Sequence, residues 1–407
     1  MALLTAFANL LNYTSNLVFS RVLEPVGFGE LTSLLALAVV ISVPLAAAQT
    51  IIAEQIARAR AARDVDRIRY LIRLSVGHVS TIAALVTAAY VFCIPLVMSA
   101  LEIREPGPAI ALAFLIPVTF FLPVVCGVLQ GLELYIAFGV LLAATASSRL
   151  IFGVPWSLLA EGGAGGAIAG QALGLAVVLV LVGWRYRQLM PRRGSGAARR
   201  GLTRRLDLGE VTASGAFIGF ALLSNLDLLL VRFYLDSTEA GVYAALATIA
   251  KIVVFFPAAV AVIMVPRAAR AHAGESASSL RVLRVAALIT LGAAIAVAVP
   301  GAVAPELLVS SMFGHDYEAA VGGVVPALVS GSLLAMLYLV CVYSVTIRHR
   351  RWVLLLVGGI ALQVGLISLF HGAPAHVMWA QAATIALVLV ANELLFHSLI
   401  PRRRGSS

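Results

Sequence analysis

The chain has 407 residues, of which 61% are hydrophobic and 12% charged, and its formal net charge is +10. Too few polar side chains are present to wrap an apolar core in a water-facing shell, which excludes an ordinary soluble domain. Lipid is the solvent for most of this sequence.

A membrane crossing needs roughly 20 mainly apolar residues. On that scale the sequence divides into twelve expected segments: 2–20, 31–53, 74–99, 109–131, 136–159, 164–184, 211–234, 241–265, 282–302, 322–346, 352–371 and 375–397. The organisation expected is an N-terminal six-helix lobe over 1–184, a basic cytoplasmic linker over 185–210, a C-terminal six-helix lobe over 211–397 and a basic tail over 398–407.

The first segment carries Thr5, Asn9, Asn12, Asn16 and Ser20 at spacings of three or four, which puts them on one helical face. Amides turned toward lipid would go unsatisfied, so this stripe faces protein or a water-filled cavity; bonding between helices is the alternative to a cavity. The segment lacks a basic leader and holds three asparagines, which argues against a cleaved signal peptide. Arg149 lies within the fifth segment and Lys251 within the eighth. On the seventh, helical arithmetic groups Ser214, Asn225 and Arg232 on one face and turns Asp227 toward a neighbouring helix.

The basic residues fix an orientation. Arg58, Arg60, Arg63, Arg67, Arg69 and Arg73 follow the second segment, and eight arginines lie in the linker. With the later loops and the tail, 24 of the 29 basic residues fall on one side, and short basic loops stay in the cytoplasm. The opposite loops hold Arg21 and Arg104 among acids such as Glu24, Glu102, Glu105, Asp236 and Glu306. Both termini are therefore expected in the cytoplasm, with the protein in a bacterial plasma membrane. Basic loops on that face meet anionic lipid headgroups, so the positive charge points to lipid and not to nucleic acid.

The two halves repeat. Asn16-Leu17 and Arg21 recur as Asp227-Leu228 and Arg232; Gly29 matches Gly241, and Pro44 matches Pro257, all at offsets of 211 to 213. An even number of crossings per half relates the copies by an axis along the membrane normal, as in transporters built from parallel repeats around a central cleft. Pro44 and Pro257 fall inside their segments, where each is expected to bend the helix, either as a fixed kink or as a hinge.

A charge at bilayer depth costs roughly 2.5–3.5 kcal/mol on insertion scales and is retained for a partner or a pathway. Three cations (Arg149, Arg232, Lys251) stand against one well-buried carboxylate, Asp227, so a surplus of positive charge is expected inside. A diphosphate matches an arginine's planar donor fork, whereas pairing of Asp227 with Arg232 or Lys251 would make the same residues purely structural. Asp227 is also the candidate for coupling to a proton or sodium ion. Cys93, Cys126 and Cys341 and the seven histidines show no metal-ligand spacing, and the glycine-rich run Glu161–Gly166 reads as a flexible outer turn. No catalytic constellation, cofactor site or metal site is expected, and the protein is not expected to be an enzyme.

Two stretches carry a resemblance: Asn16 through Arg21 to Phe28-Gly29, and Ala240-Gly241-Val242-Tyr243-Ala244-Ala245 leading through Lys251 and Pro257 to Val265-Pro266-Arg267. Together with the segment layout over essentially the whole chain, they resemble the polysaccharide transporter, or oligosaccharide flippase, family. That family belongs to a superfamily with multidrug and toxin extruders and lipid II flippases. The resemblance implies a MATE-like, V-shaped pair of lobes that moves a polyprenyl-diphosphate-linked glycan from the cytoplasmic to the outer leaflet, with cationic cavity residues on the diphosphate. Arg21, Arg149, Arg232 and Lys251 are the positions that would serve, beside Asn12, Asn16 and Asn225. Met1 nearly begins the first helix, which departs from the family by omitting a leading segment or reflects a misassigned start. Two other readings stay open. A cation-coupled drug exporter of the same fold would call for acidic cavity residues, and a non-transporting scaffold would organise glycan-assembly enzymes through its basic loops.

Overall fold

The computed structural model describes residues 2–159, 162–186, 208–274, 276–346 and 352–396. All regular structure among them is helical, and the chain divides into two compact units, Met1–Glu210 and Val211–Ser407. Most of the expected linker and the whole tail lie outside the described residues.

Unit 1 contains α1 (Ala2–Ser42), α2 (Pro44–Ala61), α3 (Val65–Ala100), α4 (Pro106–Gly131), α5 (Tyr135–Ser148), a π-turn (Arg149–Gly153), α6 (Val154–Leu159) and α7 (Gly163–Arg185). Unit 2 contains α8 (Leu208–Leu223), α9 (Leu226–Tyr234), α10 (Ser237–Gly274), α11 (Ser276–Val303), α12 (Pro305–Met312), a 3-10 turn (His315–Gly323), α13 (Val324–Thr346), α14 (Trp352–Leu369) and α15 (Pro374–Phe396).

Eleven helical stretches among the described residues are long and apolar enough to cross a membrane. The first, Leu4–Ser42, has 39 residues, about 58 Å of helix against a core of ~30 Å. It is two helices abutting at Glu24 (φ 56°, ψ 176°), with Pro25 opening the second leg where a missing N–H costs nothing. Counting both legs restores the twelve expected segments. Pro44 interrupts the second of them, since the helix restarts there as α2 after Val43, whereas Pro257 sits inside an unbroken α10.

Three helix ends in unit 1, those of α2, α3 and α4, close by one device. Arg63, Glu102 and Glu133 take positive φ, and the residues after them bond back to Ala59, Met98 and Leu129 carbonyls at 2.9–3.0 Å. This satisfies carbonyls that the helix leaves open. Glutamate and arginine occupy positions where glycine is usual.

Each unit packs around its fourth crossing. In unit 1, α4 lies against α2, α3 and α7; in unit 2, α13 lies against α10, α11 and α15, which are the corresponding crossings. The repeat read from four matched positions is thus a repeat of packing. Lipid offers no hydrophobic drive for helix association, so contacts rely on close approach and on polar links. Gly331 illustrates the first: a Cβ there would stand 2.2 Å from the Ala250 carbonyl oxygen. The Gln49 amide donating to Gln130 Oε1 at 3.0 Å, from α2 to α4, illustrates the second.

Candidate functional site

The polar stripe of α1 receives a cation. Arg149 Nη1 donates to Asn12 Oδ1 and Nη2 to Asn16 Oδ1, both at 3.3 Å, so one guanidinium edge spans one turn of α1. Arg149 opens the π-turn, a local widening of the helix that is frequent at functional sites. It lies about 21 Å along its helix from Tyr135, well inside a core of ~30 Å. Its Nε is buried without a hydrogen-bond partner, and among the described residues no carboxylate pairs with it. Both asparagines spend their carbonyl oxygens on the arginine. Ser20, on the same stripe, turns back to the Leu17 carbonyl at 2.8 Å and is fully buried.

In unit 2 the first crossing is broken. α8 stops at Leu223 and α9 starts at Leu226, with Asn225 (φ −141°, ψ −12°) between them. A break at membrane depth orphans backbone groups, which must find partners inside the protein. Asn225 Nδ2 reaches the Ala221 carbonyl at 2.9 Å, and Gln363 Nε2 of α14 reaches the Leu223 carbonyl at 3.2 Å. The side-chain oxygen of Asn225 then accepts from Lys251 Nζ of α10 at 3.1 Å. The break revises the expected face, since one helical arithmetic cannot run from Ser214 through Asn225 to Arg232. The side chain of Ser214 lies outside the described residues.

Asp227 follows in the first turn of α9 and is 2% exposed. Tyr243 Oη of α10 donates to its Oδ2 at 2.6 Å, which is the neighbouring-helix contact expected for Asp227. Its Oδ1 has no hydrogen-bond partner, nor does Gln363 Oε1, although both are buried. No ion pair within 4.0 Å joins Asp227 to Lys251.

The remaining two expected cations part company. Arg232 is buried at 1% exposure in the last turn of α9, whereas its repeat counterpart Arg21 is exposed one turn before the corner at Glu24. The site residues therefore fall into two clusters, Arg149 with Asn12 and Asn16, and Lys251 with Asn225 beside Asp227 and Tyr243. The first joins its cation to two asparagines and the second to one, in each case on the first crossing of its own unit.

Sequence reading missed Tyr243 and Gln363 as members of the second cluster. A glutamine in the middle of an apolar crossing was a usable signal for Gln363; Tyr243 stood in the resembling motif without a role. The run Glu161–Gly166 also needs revising. Its first residue lies outside the described ones, and α7 begins at Gly163, so the later glycines are helical. Ion pairs among the described residues, such as Arg58 with Glu54 and Arg60 with Glu133 at 2.6 Å, sit at helix ends. No group of three or more possible metal ligands occurs among the described residues.

No protein-family profile matches the chain, and no curated relative does. Solved structures do match over nearly its whole length. An inward-facing multidrug resistance MATE family transporter of the MOP superfamily shares 14% identity, with 95% of this chain and 93% of that one covered at a TM-score of 0.73. The lipid II flippase MurJ in an inward closed conformation shares 10% identity, with 98% and 87% covered at 0.73. A MOP superfamily transporter from Pyrococcus furiosus, described by the reverse polarity of its binding pocket, shares 15% identity, with 97% and 94% covered at 0.60. At these identities the likeness is one of fold: the chain is a multi-pass membrane protein with the MATE-like transporter fold.

Proposed function

We propose that this protein is a flippase that moves a polyprenyl-diphosphate-linked oligosaccharide from the cytoplasmic to the outer leaflet of a bacterial plasma membrane by alternating access. The observation that carries the reading is Arg149, a cation at membrane depth whose hydrogen bonds go to two neutral amides and to no acid. A buried charge left without a counter-ion is costly, and an anionic ligand repays that cost when it docks. The guanidinium fork suits a diphosphate, and the amide N–H groups of Asn12 and Asn16 point to the same donor-rich chemistry. Lys251 on Asn225 repeats the pattern in the second unit. A lipid II flippase occurs among structures of this fold, in keeping with a lipid-linked cargo.

Asp227 is the coupling candidate. It is the only buried carboxylate among the described residues, and one of its oxygens is unpartnered beside the helix break. Discontinuous crossings supply ion and substrate sites in transporters. Arg232, also buried, would reinforce the positive field, and Arg21 at the exposed corner would meet the diphosphate at the outer surface.

The test is transbilayer movement of a fluorescent polyprenyl-diphosphate oligosaccharide in proteoliposomes. Acceleration over empty liposomes is expected. It should fall about tenfold to a hundredfold in Arg149→Ala, the worth of a hydrogen-bonded charge. Wild-type flipping by a correctly folded Arg149→Ala variant would remove the diphosphate role. Transport of organic cations in place of the glycolipid would give the protein to the exporter reading.

A further inference from the structure

Unit 1 carries a groove of about 760 Å3 on its basic end, lined along α5 by Tyr135, Val140 and Ala144 and along α7 by Val178, Leu181 and Arg185. We propose that this groove is a binding site for one acyl chain of an anionic phospholipid, with Arg185 holding the headgroup phosphate. The site is separate from the Arg149 cluster, because its lining stops at Ala144 on α5, and it does not depend on the flippase reading.

The groove lies where α7 changes the side chains it turns to the preceding crossing. In the first half of α7, Gly170 and Gly174 press against the preceding crossing. A Cβ on Gly170 would stand 2.4 Å from the Phe152 carbonyl oxygen, and one on Gly174 2.8 Å from Ser148 Cβ. Beyond Gly174 the residues turned to α5 are Val178 and Val182, and small side chains give way to branched ones. There Leu141 of α5 and Val178 of α7 pack together and form an apolar floor.

Three features choose the occupant. The lining on α5 runs from Tyr135 to Ala144, about 14 Å at 1.5 Å per residue, which matches one leaflet of a core ~30 Å thick. An acyl chain has that reach, and a long polyprenyl tail exceeds it. The walls are hydrocarbon, with Ile136 and Leu181 open to the bilayer, so a chain enters sideways without crossing water. At the mouth, Arg60 neutralises Glu133, and among the described residues no carboxylate pairs with Arg185, which lies 5.6 Å from the ring of Tyr186. Tyr135 and Tyr186 line the groove together with Arg185, and amphipathic rings of this kind mark the headgroup layer. An arginine at this mouth favours phosphate, and a headgroup of net negative charge over a zwitterionic one.

Native mass spectrometry of the intact protein, exchanged into mixed micelles with phosphatidylglycerol or phosphatidylcholine, reads the site directly. Phosphatidylglycerol should be retained in preference. Arg185→Gln should lower that retention about fivefold, the worth of one arginine near an anionic surface. Val140→Trp, which fills the groove from a position already 51% exposed, should lower retention of both lipids. Equal retention of the two lipids by the wild type, or phosphatidylglycerol retention indifferent to both substitutions, would overturn the proposal. Preferential retention of a polyprenyl phosphate over phosphatidylglycerol would overturn it too, and would give the groove to the carrier's tail.

Discussion

Asp227 and its tyrosine show how much one buried contact decides. Tyr243 is fully buried, and its hydroxyl supplies the hydrogen bond at 2.6 Å to the carboxylate. Tyr243→Phe leaves a buried carboxylate with less support and should destabilise the folded protein by about 1–3 kcal/mol, read as a lowered melting temperature in detergent. Asp227→Asn separates coupling from packing. It is expected to leave downhill flipping intact and to erase acceleration by an imposed proton or sodium gradient, so gradient-driven transport that survives the substitution would remove the coupling role. Asn12, Asn16 and Arg149 were legible because polar residues in lipid are rare and their spacing names a face. Tyr243 was not legible, since tyrosines commonly end apolar segments and only a neighbouring helix reveals which carboxylate one meets.

Among the elements, backbone proximity governs. The Ala250 carbonyl stands where a side chain at Gly331 would begin, so α10 and α13 touch along their backbones at the centre of unit 2. Gly331→Ala is expected to cost about 1–3 kcal/mol by forcing these helices apart, and a thermal-shift series of Ala, Ser and Val at this position should fall in order of size. Equal stability across that series would show that the helices separate freely. Helix number and order were readable from hydropathy alone, because twenty apolar residues in lipid have few alternatives. The break at Ser224–Asn225 was not. No proline or glycine marks it, and its stability comes from Gln363, which lies 140 positions away in sequence. Conversely, the glycines after Glu161 promised a turn and instead start a helix, because close packing on Trp156 outweighs their flexibility: a Cβ at Gly166 would lie 2.5 Å from the Trp156 carbonyl oxygen.

At the scale of the molecule, duplication is a matter of packing more than of side chains. The fourth crossing is central in both units, yet the cations that meet asparagines come from crossings that do not correspond, the fifth of the chain for Arg149 and the eighth for Lys251. Sequence matching found the corners and prolines that both copies keep; it could not find clusters that each copy has built in its own way. The excess of arginine at one end makes a statement about topology that can be checked in cells. Single cysteines replacing Arg63 and Glu105, in a background lacking Cys93, Cys126 and Cys341, should label from opposite faces, Arg63→Cys only in inside-out vesicles and Glu105→Cys only in intact cells. Labelling of both from one face would invert or discard the orientation.

Arg149 and its two asparagines also bear on how the chain is made. A membrane protein emerges from the ribosome N-terminus first, and an arginine in the fifth crossing must leave the insertion channel with something to bind. Asn12 and Asn16 are synthesised well before it and await it in the bilayer; Asn225 likewise precedes Lys251. In each unit the acceptors are laid down ahead of the cation they receive, so the order of residues along the chain doubles as an order of assembly.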